Sequence, residues 1–411
     1  SNIFDLSNGK RLGVAGAISW NDRALLVNNN EADDWDVADN GSDFAETYEP
    51  RLYTVDRERI GGALNFDLDI SDSTTLHLYT LYSKFTDTEL RNATAFGMDG
   101  LDENTVTNTS ADFSEAEIER TTKDRDQTAE NLSMSLGSAT QLSEWLIETG
   151  LGYSWAQEET PNQMDSAWVA EYESGDGPIT AGVPVLTFNH ANAQTPTIES
   201  DFWSSLQDSS LYELDGLERL YELNKDEQVT LNLDMSRETG FGGIKFGLKA
   251  RWREKSTNED VDIYSGDGTW FLSDVVEPNG AAEFGFPTPV DPVPNIAQTR
   301  DILDTENGID FEDLDSQIDS NISDYTYNED VYSAYALGRW DTDRMVLTAG
   351  LRVEQTEVDN QGNEVEFVEA GTIVNGVPLA DDTVFVIRFH RPTRTQTGSR
   401  VPTFVTNSTK A

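Results

Sequence analysis

Cysteine is absent from all 411 residues, which removes disulfide frameworks, thiolate metal sites and cysteine nucleophiles together. No run of about 18 apolar residues occurs, so a membrane-crossing helix is excluded. Strands that cross as a β-barrel are not excluded, because they are apolar only at every second position. A mean hydropathy of −0.53 therefore does not argue against a membrane. Basic residues are scarce: 28 Lys and Arg stand against 76 Asp and Glu, a formal charge of −48. Nucleic acid needs cations to neutralise its phosphates and is ruled out as a partner. The three histidines, His77, His190 and His390, have no neighbours at ligand spacing. No G-x-S-x-G elbow, Walker loop, dinucleotide fingerprint or EF-hand spacing is present. Acids are so abundant that no single carboxylate pair stands out as catalytic. The expectation is a non-enzyme without cofactor or metal site.

What is present is alternation. In Asn328–Gly362, Met345, Leu347, Ala349, Leu351 and Val353 share one face of a strand, and Thr348, Gly350, Arg352, Glu354 and Thr356 share the other. The pattern recurs. Leu12, Val14, Ile18 and Trp20 oppose Gly13, Ala15, Ala17 and Ser19, and Leu64, Phe66, Leu68 and Ile70 oppose Asn65, Asp67 and Asp69. Leu76, Leu78 and Tyr82 follow, then Leu132, Met134 and Leu136, then Trp145 through Trp155 at every second residue. Val229, Leu231, Leu233 and Met235 oppose Gln228, Thr230, Asn232 and Asp234. Ile244, Phe246, Leu248, Ala250 and Trp252 oppose Lys245, Gly247, Lys249, Arg251, Arg253 and Lys255.

Short polar turns are predicted near residues 72, 143, 240 and 342. Between them lie long acidic segments, Asn28–Pro50, Arg91–Glu117, Gln157–Glu218 and Asp301–Asp330, expected to be loops. Within the third, Ser200–Leu223 is expected to hold a short helix capped by Ser200 or Asp201. Short turns at one end and long loops at the other are the asymmetry of outer-membrane barrels. Trp20, Tyr82, Trp145, Trp155, Trp252 and Trp340 fall near strand ends, where an interfacial aromatic girdle would sit. The fold class expected is all-β: an antiparallel transmembrane β-barrel, partial, of about 9–10 strands, with long acidic extracellular loops and short periplasmic turns.

The hairpin Glu329-Asp-Val-Tyr-Ser-Ala-Tyr, Asp341–Arg344 and Thr348-Ala-Gly-Leu-Arg-Val-Glu-Gln-Thr356 resembles the mid-barrel of TonB-dependent outer-membrane receptors. Leu12-Gly-Val, Ser19-Trp-Asn-Asp-Arg23 and Phe246-Gly-Leu-Lys-Ala-Arg-Trp-Arg253 share that texture, and the resemblance spans about residues 10–370. It implies a Gram-negative outer-membrane location, contact with outer-membrane lipid, and uptake of a bulky nutrient such as a ferric siderophore or oligosaccharide. It also implies coupling to TonB–ExbB–ExbD through a plug domain. Family members carry that plug and a TonB box ahead of the barrel, have about 22 strands, and end on an aromatic residue. This chain has neither plug nor box and ends at Ala411. Ser1–Arg11 lacks the features of a secretory leader. An internal fragment is the expectation.

Residues 1–388 read as the partial barrel and 389–411 as an aberrant tail. From Thr383 to Ala411 there are five Lys or Arg and no acid, and the alternation stops at Phe389. Reading plausible codons for Arg391–Lys410 in a neighbouring frame yields Ser-Tyr-Thr-Asp-Ser-Asp-Trp-Leu-Pro-Ser, similar to the family, so a frameshift near Phe389 is expected.

Candidate ligand-binding residues form two groups. On the face expected to be lumenal stand Lys245, Lys249, Arg251 and Arg253, with Arg352 and Glu354. Arg or Lys would cost about 2–4 kcal/mol each at mid-bilayer, so this face is expected to look inward, to meet an anionic ligand or plug acids, or to be balanced by Asp67, Asp69 and Asp234. In the loops, Trp168, Trp203, Trp270 and Phe271 are candidates for stacking on a ligand or for packing the loop. Two alternative functions share the composition: a passive porin-like barrel, and a secreted acidic β-protein binding glycans or divalent cations.

Overall fold

The computed structural model describes residues 1–6, 9–172, 185–342, 345–374 and 377–405, with side chains through Thr395. The chain is all-β and is dominated by one large antiparallel sheet. Its strands are β1 (Asn2–Asp5), β2 (Arg11–Val37), β3 (Asp43–Ser71), β4 (Thr74–Leu101), β5 (Ser110–Leu142) and β6 (Trp145–Tyr172). The short β7 (Leu186–Asn189) and β8 (Thr197–Glu199) and the one-turn helix α1 (Trp203–Leu206) lead into β9 (Glu213–Thr239) and β10 (Gly242–Gly266). Helix α2 (Leu272–Val275), β11 (Val276–Glu277), β12 (Val293–Pro294), α3 (Ile296–Thr305), β13 (Ile309–Phe311) and α4 (Asp313–Ile322) precede β14 (Tyr325–Asp341). The chain continues through β15 (Val346–Val368), a small ribbon of β16 (Ile373–Val374) and β17 (Val377–Pro378), and β18 (Thr383–Val405). The sheet order is β1-β2-β3-β4-β5-β6-β9-β10-β14-β15-β18, ten long strands and one short one, and among the described residues its two edges do not meet.

Register explains why the alternating sets matter. Val14 pairs with Phe66, Phe66 with Leu78, Leu78 with Leu136 and Leu136 with Leu151. Leu151 then pairs with Leu231, Leu231 with Ala250 and Ala250 with Tyr332. Every apolar set read from the sequence therefore lands on one continuous face, since slipping any strand by one residue would invert it. The tight connections fall as expected, at Asp72-Ser73, Ser143-Glu144 and Gly240-Phe241.

The acidic segments are a correction. Instead of looping, β2 runs to Val37 and β3 begins at Asp43, β4 runs to Leu101 and β5 begins at Ser110, and β6 runs to Tyr172. These segments also alternate, but with acids on one side: Glu115, Glu117 and Glu119 against buried Ala116, Ile118 and Arg120. The run 301–330 divides among α3, β13, α4 and β14. The helix expected in Ser200–Leu223 is one turn only. Its cap position is Phe202 rather than Ser200 or Asp201, although Ser200 Oγ accepts the Phe202 N–H at 3.2 Å. At the other end of the chain, β18 stays paired with β15 past Phe389.

The hydrophobic core lies wholly in the half of the sheet far from the tight turns. Tyr48, Phe96, Ile118 and Trp168 are buried there beneath Leu186, Phe188, Ile198 and Leu206 from one covering segment and Leu272, Val275, Ile302 and Leu303 from another. Eighteen residues separate Tyr48 from Phe66, Phe96 from Leu78, and Ile118 from Leu136, with no register break between them in β3–β4 or β4–β5. An even spacing keeps both sets on the same face. One face of the sheet is thus covered by protein at its far half and bare at its turn half. Ile18 is 86% exposed, Trp20 66% and Leu248 57%.

Candidate functional site

Opposite the bare apolar face, at the same height, is a polar row drawn from four neighbouring strand pairs. Glu148 of β6 pairs with Asp234 of β9, Asp234 with Gly247 of β10, Gly247 with Tyr335 of β14, and Tyr335 with Arg352 of β15. The Tyr335 hydroxyl crosses β10 to donate to the Asp234 carboxylate. Only glycine allows this: a Cβ on Gly247 would stand 2.1 Å from Tyr335 Cε1. Two further glycines on this face are covered alike, Gly137 by the His77 ring and Gly150 by the Asn232 amide.

The basic ladder is brought together as expected, but most of it is neutralised. Lys245 lies 3.6 Å from Glu148, Arg251 pairs with Glu329, Arg253 with Asp226, and Arg352 with Glu354 at 2.5 Å. Among the described residues Lys249 makes no ion pair. The balancing acids differ from those expected. Asp67 accepts the Tyr79 hydroxyl at 2.8 Å, Asp69 accepts Arg11 Nε at 2.9 Å, and Asp234 takes Tyr335. Partly exposed pairs of this kind are each worth at most about 1 kcal/mol. The face is a polar surface of mostly paired charges rather than a concentrated anion site.

The aromatic candidates belong to packing. Trp168 is a β6 strand residue, not a loop residue, and is fully buried. Pro161 explains the misreading. It lies in the irregularity between Thr160 and Gln163, where β6 carries one extra residue against both neighbours, so the alternation changes phase. Trp203 stacks on Phe96, with ring centres 6.3 Å apart. Trp270 donates its indole N–H to the Asn307 carbonyl at 2.6 Å, and its ring lies over Gly308, whose φ is +75°. Phe271 is half-buried, with its N–H on Asp274 Oδ2 at 3.0 Å.

Two features were not found from the sequence. Arg120 is buried at 1% exposure without a carboxylate partner among the described residues. Its guanidinium donates to Thr94 Oγ1, to the Val290 carbonyl at 2.7 Å and to the Leu206 carbonyl at 2.8 Å, and lies over the Tyr212 ring. It therefore pins both covering segments to the sheet. Burial pushes the nearby Tyr172 phenol up, as does Tyr212 beside it, and burial raises Tyr48 to about 12. The second feature is α4, which shields the edge of β10 beyond the start of β14. An Arg next in line after Ala116 and Ile118 in the β5 alternation was the available signal for the first. Nothing in the spacing of Ser316 and Ser320, whose hydroxyls accept the Ile263 and Val261 N–H groups, announced the second.

Comparison with family models, with curated proteins and with solved structures finds no match for this chain.

Proposed function

We propose that these strands form part of the wall of an outer-membrane β-barrel receptor of the TonB-dependent kind, which takes up a bulky nutrient. One observation carries the reading: a single apolar face is covered by protein at the far half and bare at the turn half. Leaving Ile18 in water forgoes about 1.5–3 kcal/mol, and leaving the half-exposed Leu136 and Leu248 about half that each, so the bare half calls for an apolar cover. Its dimensions suit a bilayer. Trp145 and Trp340 stand beside the tight turns, and Trp155, Trp252 and Tyr82 stand on the same face further up. About ten residues at roughly 3.3 Å each, tilted by about 45°, span roughly 25 Å. The opposite face is mostly polar in this zone, with Leu81 and Leu337 as its large apolar exceptions, which suits a barrel lumen. The energised step would belong to a plug domain and its TonB–ExbB–ExbD partners, with these strands supplying the wall and the ligand-facing surface.

The test is quenching by brominated acyl chains. With the chain reconstituted in phosphatidylcholine vesicles, Trp145, Trp252 and Trp340 are expected to be quenched, read in single-tryptophan variants, and Trp168 and Trp203 are not. A chain that stays monodisperse without detergent and shows no quenching would overturn the proposal and favour a secreted acidic β-protein.

A further inference from the structure

Where α4 ends and β14 begins, between β10 and β15, lies a cleft of about 370 Å³, within the roughly 300–1,000 Å³ typical of small-ligand sites. We propose that this cleft binds one end of an uncharged oligosaccharide, held by Lys255, Asp324, Asn360 and Asn363 against the rings of Tyr325 and Tyr327. A second polar pocket of about 290 Å³ shares Asp324, Tyr325, Gly362 and Asn363 but is lined by Ser256, Thr326 and Gln361, on the opposite face of the sheet.

The lining has the chemistry of a polyol site. The Lys255 ammonium lies 5.8 Å from the Tyr325 ring centre and makes no ion pair among the described residues. Asp324 accepts the Glu259 N–H at 2.9 Å through one oxygen, which leaves its second oxygen able to accept. Asn363 donates to the Asn321 carbonyl at 3.1 Å and keeps its amide oxygen as an acceptor. The Tyr327 hydroxyl donates to Glu329 at 3.0 Å, which fixes its ring. Gly362 lets Phe389 lie close against β15, since a Cβ there would stand 2.9 Å from the ring. Donors and acceptors therefore surround aromatic faces, the arrangement that suits a ring with vicinal hydroxyls above and below and apolar C–H faces.

Charge decides among ligand classes. One ammonium and one carboxylate leave the cleft without a net local charge. An anionic ligand would approach against the field of a chain carrying −48. A cation would be drawn to the many other acids of the surface in preference to a cleft that holds Lys255. Only a neutral ligand is indifferent to both. This names a substrate class for the receptor reading and rests on it for its biological purpose.

The experiment is isothermal titration of the whole chain in a zwitterionic, sugar-free detergent. Neutral hexasaccharides of glucose, mannose and N-acetylglucosamine are compared with hexagalacturonate and a ferric tris-catecholate. Saturable binding of at least one neutral sugar is expected. It should weaken at least about tenfold, or about 1.4 kcal/mol, in Tyr325→Ala and in Asn360→Ala, and stay unchanged in Asp72→Ala at the tight turn between β3 and β4. Binding of the charged ligands alone, binding indifferent to Tyr325→Ala, or no neutral binding up to about 10 mM would overturn the inference. Bromolipid quenching on the same samples reports folding and insertion separately. Sugar binding without insertion would leave the cleft standing and remove the receptor.

Discussion

Ser320 of α4 does for Val261 what a neighbouring strand would do. Its Oγ accepts the Val261 N–H at 2.8 Å and donates to the Val261 carbonyl at 3.1 Å. One turn earlier Ser316 Oγ accepts the Ile263 N–H at 2.9 Å, and beyond the helix Asp324 accepts that of Glu259. Residues four apart on a helix are separated by about 6 Å along its axis, close to the spacing of alternate N–H groups on a strand edge. The edge of β10 is thereby satisfied at the place where β14 has not yet begun.

Replacing Ser316 and Ser320 by Ala should therefore cost about 1–3 kcal/mol for each amide left without a partner. Hydrogen exchange localises the effect. The Val261 and Ile263 amides should exchange faster, while those of the paired segment Lys245–Arg253 should not change.

Arg120→Met should cost about 3 kcal/mol or more, because the Val290 and Leu206 carbonyls lose a charged donor while remaining buried. The covering segments should loosen first. Limited proteolysis should cut between residues 185 and 212 in the variant well before the wild type, with bromolipid quenching of Trp340 unaltered. Equal resistance of both proteins would refute the role of Arg120 as a pin.

Gly247→Ala should be worse than Tyr335→Phe. The phenylalanine variant loses one hydrogen bond, worth about 1 kcal/mol, and keeps the ring in place. The alanine variant places a methyl where the ring lies and forces it off the strand, at about 1–3 kcal/mol. Denaturation midpoints of the two variants in one detergent give the order directly.

Acidification should stabilise the far half. Burial raises the Glu119 carboxyl, aided by Asp215, Glu117 and Glu49. It raises Glu218, aided by Asp165 and Asp319, and Glu259, where Glu222, Asp319 and Asp324 add to it. In the folded state these groups hold protons at pH values where the unfolded chain has released them. Stability should therefore rise as pH falls through the raised values, with the gain complete below about 4.3, the ordinary Glu value. A thermal midpoint that rises from neutral pH to about pH 5, with the slope reduced in Glu119→Gln and Glu218→Gln, is the expected result. A midpoint falling over that range would contradict it.

Much was legible in the chain itself. Period-two alternation placed Leu64, Leu136, Leu248 and Leu351 on one face. Asp72-Ser73, Ser143-Glu144 and Gly240-Phe241 announced the tight turns, because turn chemistry and side-chain direction are local properties of the backbone. Lys245 through Arg253 was rightly read as one polar face for the same reason. Identity of partners was not local. Which acids neutralise that ladder depends on register across β6, β9 and β14, and the actual partners Glu148, Asp226 and Glu329 are distant in sequence from several of the bases they meet. The acidic segments misled because charge density hid a second alternation, and the extra residue near Pro161 put Trp168 out of phase with Trp155. Only the tertiary structure decided that the far half of the apolar face is roofed by residues 185–212 and 270–305 while the turn half is left bare. Covering a sheet face is an act of distant segments, and nothing in the period of a strand records which segments will reach it.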